Sequence, residues 1–155
     1  MYPHHPLADE RSIRPLAFVL NIVWLILGGA IAALGWFVAA LIMAVTIVGL
    51  PWSKAAFDNG VYTLWPFGAR IIDRDLLYGN DIGSGPLGFL GNIIWFVLAG
   101  WWLALGHLVA ALGLGITIIG LPFAWAHLKL AGYSLWPIGR TIVHEDVRRR
   151  AYYYS

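Results

Sequence analysis

A chain of 155 residues is about one domain by length, but 60% hydrophobic residues against 12% charged, with a mean hydropathy of +0.73, exclude an ordinary soluble globule. The absence of cysteine excludes disulfides and thiolate metal centres. A net charge of +2 and a pI near 9.1 are read as topology signals beside a membrane and not as a nucleic-acid footprint.

Residues 1–15 read as a polar N-terminal tail, in which Pro3, Pro6 and Pro15 oppose a helix. The apolar run that follows exceeds the ~7–15 residues of a signal core, so the tail is expected to stay uncleaved. His4 and His5 are read as bystanders and not as metal ligands. No Asp, Glu, Lys or Arg occurs from Pro15 to Ser53 or from Ile82 to Leu128, and each block exceeds the ~20 apolar residues that span a bilayer core. The lipid bilayer is therefore the first partner.

As one straight helix, residues 16–50 would measure about 52 Å at ~1.5 Å per residue, well over a ~30 Å core. Two geometries answer this. Either a tight hairpin turns at Gly28 and Gly29, or a long tilted span runs to Gly49 and the stretch Trp52–Trp65 crosses back. That stretch sets Trp52, Ala55, Ala56, Val61, Leu64 and Trp65 around Ser53, Lys54 and Asp58, a helical stripe suited to lying in the headgroup layer. The proline of Leu64-Trp65-Pro66 should stop it. Residues 73–86, with Gly79, Asn80, Gly83, Ser84, Gly85 and Pro86, read as a flexible linker, and Asp73 and Asp75 beside Arg70 and Arg74 as a solvated charge cluster.

After the linker the chain repeats itself. NIVW at 21–24 returns as NIIW at 92–95, TIVGLP at 46–51 as TIIGLP at 117–122, and LWPFG at 64–68 as LWPIG at 135–139. The offset is a constant 71, with 24 identities over 52 positions and no gap. Such self-similarity marks two copies of one structural unit packed together. The expected fold is an all-α integral membrane protein of two parallel repeats, with four membrane crossings plus amphipathic helices. It forms a single membrane domain over residues 16–143, made of repeat 1 (16–72), the linker (73–86) and repeat 2 (87–143). A basic and aromatic tail, 144–155, follows. Arg11 and Arg14, Arg70 and Arg74, and Arg140 with Arg148, Arg149 and Arg150 flank the blocks, which places both termini and the linker in the cytoplasm.

Small residues four apart, such as Gly29 with Ala33 and Gly106 with Ala110, are packing seams. Asn21 and Asn92 are read as hydrogen-bonding partners between helices in preference to pore lining. His107 replaces Trp36 of the first copy, in a block without acid or base. An ionisable group at membrane depth is a functional candidate by default, but with nothing to relay a proton it reads as a neutral imidazole bonded to a backbone carbonyl or set at the interface. Asp58 and Lys129 share one repeat position, so they would meet as an ion pair if that position lay on the repeat axis; otherwise each reaches the headgroups. No phosphate loop, nucleophile elbow or His-Glu-x-x-His occurs. No enzyme, catalytic residue, cofactor or metal site is expected.

The paired Asn-Ile-x-Trp, Gly-Leu-Pro and Leu-Trp-Pro-x-Gly elements, in fixed order from Asn21 to Val143, resemble the YccF family of small bacterial inner-membrane proteins. The family's closing Leu-Trp-Pro-x-Gly-Arg is matched by Leu135–Arg140, while the first copy has Ala69 at the arginine position. The resemblance implies a multi-pass protein of the bacterial plasma membrane and supplies no activity. Two functions fit: a structural or accessory component, as a homo-oligomer or a subunit of a larger assembly, or an oligomeric channel or small-solute pore.

Overall fold

The computed structural model describes residues 7–144; the expectations for His4, His5 and the basic and aromatic tail beyond His144 lie outside the described residues. Helix α1 (Leu7–Trp24) begins inside the stretch read as tail and continues past Pro15. A proline removes one donor from a helix, and packing of the next turn, where Phe18 meets Trp65 at 5.7 Å, supports the chain beyond it. A wide π-type turn, Leu25–Gly29, leads into α2 (Ala30–Val45). Within it Gly28 has φ 124°, a conformation open to glycine because it lacks Cβ. The helix changes direction there but does not fold back. The partner packed along α2 is α3 (Leu50–Leu64), reached through the turn Thr46–Gly49, so the long segment with a returning helix is the geometry found.

In the second copy α5 (Gly85–Trp95), a π-type turn (Phe96–Gly100) and α6 (Trp101–Gly115) run on without a left-handed residue, because Ala99 stands where the first copy has Gly28. Helix α7 (Leu121–Leu135) returns along α6. Pro51 and Pro122 lie in the first turns of α3 and α7, where a missing N–H is harmless. The Gly-Leu-Pro elements thus open the returning helices, and Pro66 and Pro137 follow their ends.

The all-α expectation is corrected by an antiparallel ribbon of β1 (Ala69–Asp73) and β2 (Arg140–His144), in register Ala69 to His144, Ile71 to Ile142 and Asp73 to Arg140. Each five-residue strand follows a glycine in the left-handed region, Gly68 at φ 94° and Gly139 at φ 93°. Neither strand has a partner until the two copies meet, so no local sequence pattern announces it. Residues 73–86 hold a short helix, α4 (Asp75–Tyr78), and are tied down beyond it. The Arg74 N–H donates to Gly139 O (2.7 Å), and its guanidinium bonds Asp81, which accepts from the Gly83 N–H (2.8 Å).

Contacts between the copies show how the two hairpins are arranged. Trp52, in the first turn of α3, packs on Gly91 of α5 and donates Nε1–H to Ile82 O at 3.1 Å. Phe67, at the base of the first hairpin, packs on Phe123 in the first turn of α7. The tip of each hairpin therefore lies at the base of the other, and the hairpins pack head to tail about a pseudo-twofold axis passing between Ile71 and Ile142. The arginines indicate which side of a membrane the loops occupy; they carry no information on which way the hairpins lean within it. Around the axis Trp24, Trp36, Trp95 and Met43 are fully buried. Helices α2 and α6 cross at Gly35, where an added Cβ would sit 3.1 Å from Leu103.

Candidate functional site

Each copy builds the same frame from its Asn-Ile-x-Trp element. The Asn21 side chain accepts from Phe67 N–H (3.0 Å) and donates to Phe67 O (2.9 Å), and Asn92 holds Ile138 at 3.0 and 2.8 Å in the same way. These asparagines pin each hairpin's base to the corner before its strand, satisfying backbone groups that have no ladder of their own. Trp24 and Trp95 donate Nε1–H to Thr63 O (2.7 Å) and Ser134 O (2.6 Å). Gly29 gives the Trp24 ring its place, since an added Cβ would fall 2.2 Å from Nε1.

At the centre the copies cease to match. Trp36 and His107, at one repeat position, meet across the axis, with Trp36 Nε1–H donating to His107 Nε2 at 3.3 Å. His107 Nδ1 lies 2.9 Å from Nδ1 of His127, and His127 stacks against Trp24 at 4.5 Å. An indole nitrogen can only donate, so His107 Nε2 must accept and its proton sits on Nδ1. That proton is donated to His127 Nδ1, which leaves the His127 proton on Nε2. Both imidazoles are therefore neutral, and the chain of donors runs one way, from Trp36 through His107 to His127. Its last member has no acceptor: His127 is 1% exposed, and its Nε2 makes no hydrogen bond.

His127 lines a cavity of about 300 Å³ between α2, α6 and α7, with Gly28, Ile31, Gly35, Leu103, Gly106, Ala110 and His107. A larger cleft of about 440 Å³ separates α3 from the ribbon and includes Lys54, Asp58, Arg74 and Arg140. Its charges are partnered within the chain, Lys54 by Asp58, Arg74 by Asp81 and Arg140 by Asp73. Asp58 thus pairs one turn away along α3 and not with Lys129. Among the described residues no three metal-ligating side chains come together.

Of the residues singled out in the sequence, Asn21 and Asn92 do make hydrogen bonds, though to backbone corners. His107 is neutral but bonded to side chains and buried away from any interface. His127 is not among those residues. The signal that marks it is the repeat: its counterpart is Ala56, as Trp36 is that of His107. These two departures, both histidines in the second copy, are the two that touch.

A family model described as "YccF: Inner membrane component domain" matches residues 19–69 and 90–140. "Inner membrane protein YccF" of Escherichia coli (strain K12) is 36% identical over 137 residues, which cover 86% of this chain and 91% of that protein. The protein of the same name from Shigella flexneri aligns with the same figures. No solved structure matches significantly.

Proposed function

The chain belongs to the YccF family of inner membrane components, and from that premise we propose that it is a non-catalytic structural or accessory component of the bacterial plasma membrane. The observation that carries this reading is the packing of aromatic and polar side chains around the pseudo-twofold axis. Trp36 stacks on Trp95 at 5.2 Å and 18°, Trp24 covers His127, and the Tyr133 hydroxyl donates to Asn59 Oδ1 at 2.9 Å across the repeats. Asn21 and Asn92, the polar groups a conduit would need, are engaged at both ends with backbone, which supports a scaffold over a pore. Outward, Ile26, Ile31, Val45, Val97, Val109 and Leu112 are exposed, an apolar surface suited to lipid, to a second copy or to a larger membrane assembly. The purified protein in liposomes should give no ion or small-solute flux above protein-free vesicles. A selective flux abolished by Asn21→Ala or Asn92→Ala would reverse the reading in favour of an oligomeric channel.

The same reading assigns both termini and residues 73–86 to the cytoplasm and revises the number of crossings. Pro15–Val45 and Gly85–Gly115 are each long and apolar enough to cross a membrane. The ribbon, however, joins opposite ends of the molecule and carries Arg70, Asp73, Arg74 and Arg140 at or beside its strands. With the hairpins upright it would traverse hydrocarbon at about 2.5–3.5 kcal/mol per charge on insertion scales. Laid flat at the cytoplasmic headgroups, with the pseudo-twofold axis along the membrane normal, it avoids that. Both hairpins then enter and leave from one side.

A further inference from the structure

We propose that the cavity between Gly28 and His127 is a binding site for a neutral lipophilic molecule, held through one carbonyl oxygen that accepts from His127 Nε2–H. The direction of the donor chain fixes what the site lacks. Trp36 Nε1–H donates to His107 and His107 to His127, so the final N–H requires an acceptor, and a buried donor without one is a rare condition in a native fold. The walls supply none from a side chain: besides the histidines and the Trp102 ring they are glycine and aliphatic residues, with no charged group among them. An anion would find no counter-charge, and a cation would meet a donor; a neutral molecule with an acceptor oxygen and a hydrocarbon body meets both the N–H and the walls. Of the lining residues Ile31 is 78% exposed, on the surface read as lipid-facing, and it offers such a molecule a way in from the bilayer.

Gly28 is the wall residue that lies against the donor. A Cβ at that position would stand 3.9 Å from Nε2, and its φ of 124° disfavours any other residue. At the equivalent positions of the other pair stand Ala99 and Ala56, which offer no donor. Water is a poorer occupant, since a buried water needs ~2–4 polar partners and the wall side chains offer one free donor.

A carbonyl of this kind occurs in the acyl ester of a membrane lipid and in a free lipophilic ketone, and the test separates them. Protein labelled with ¹⁵N-histidine is placed in bilayers of ester-linked phosphatidylcholine, which has no net charge, in the ether-linked analogue without carbonyls, and in the ether-linked bilayer with added 2-undecanone. The His127 resonance is identified by its loss in His127→Gln. A downfield shift of Nε2 in the ester bilayer relative to the ether bilayer is expected if lipid esters occupy the site. A shift only on adding the ketone assigns it to free carbonyl compounds, and Gly28→Ala should suppress either response. An Nε2 signal identical in all three conditions, whether free or already hydrogen-bonded in ether lipid alone, overturns the proposal. None of these outcomes depends on whether the protein conducts ions.

Discussion

At the scale of single residues, stability is concentrated in polar groups that lipid cannot satisfy. Asn92 makes three hydrogen bonds, adding Gly88 O at 3.1 Å to the pair with Ile138, and Asn21 makes two. Replacing either with alanine strands backbone groups at a buried corner, at about 1–3 kcal/mol. Thermal unfolding in detergent should show both variants destabilised, Asn92→Ala the more; equal stability to wild type would mean that the corners hold without them. His107→Phe fits the ring volume but leaves Trp36 Nε1–H without an acceptor and His127 Nδ1 without a donor. A loss of similar size, about 1–3 kcal/mol per stranded group, is expected in the same measurement. The departure at Ala69 also has a physical reading: Arg140 has Asp73 opposite it on the ribbon, bonded at 3.0 Å, and Ala69 lies at the ribbon's other end.

At the scale of elements, the copies differ at the break in the long helix. Gly28 permits a break in the first long helix that Ala99 does not permit in the second, and the break stands at His127. The segment after β1 is ordered by Asp81. Burial alone would raise the Asp81 carboxyl, but the Gly83 N–H and the Arg74 guanidinium outweigh it and hold it below its ordinary 3.8. With the folded value depressed, this stabilisation is complete above the ordinary value and is lost as pH falls through the folded one. Asp81→Asn should therefore lower the melting temperature at neutral pH, with a difference from wild type that shrinks below about pH 4. A constant difference across that range would show that the charge plays no part.

At the scale of the whole molecule, the hairpin tips decide between crossing and re-entry. Ile47 and Ile118 are 77% and 87% exposed, next to Val48 and Ile119, with no charged residue in either tip. In the first tip the N–H groups from Thr46 to Leu50 are all bonded, that of Gly49 to the Thr46 hydroxyl; in the second, Thr117 serves Gly120 in the same way. A turn satisfied as the first one is can rest in lipid where an open loop cannot. The cysteine-free chain allows a direct test with single substitutions Ile47→Cys and Ile118→Cys in intact cells. Neither should react with a membrane-impermeant maleimide from outside, while Gly83→Cys should react only after the cells are opened. Labelling of both tips in intact cells would restore four full crossings.

The sequence by itself determined the membrane class, the duplication, the proline-bounded returning helices and the importance of Asn21 and Asn92, because each follows from composition or from a pattern within a few residues. Hydrophobic blocks without charge have one stable environment, and a repeat of constant spacing has one interpretation. Only the tertiary structure decided that the hairpins lie head to tail, that two short strands pair, and that His127 joins His107 beneath Gly28. Those facts depend on contacts between residues 20 to 99 positions apart. Local periodicity cannot report which surface of one copy will meet the other, and the pairing of Ile71 with Ile142 exists only once they have met.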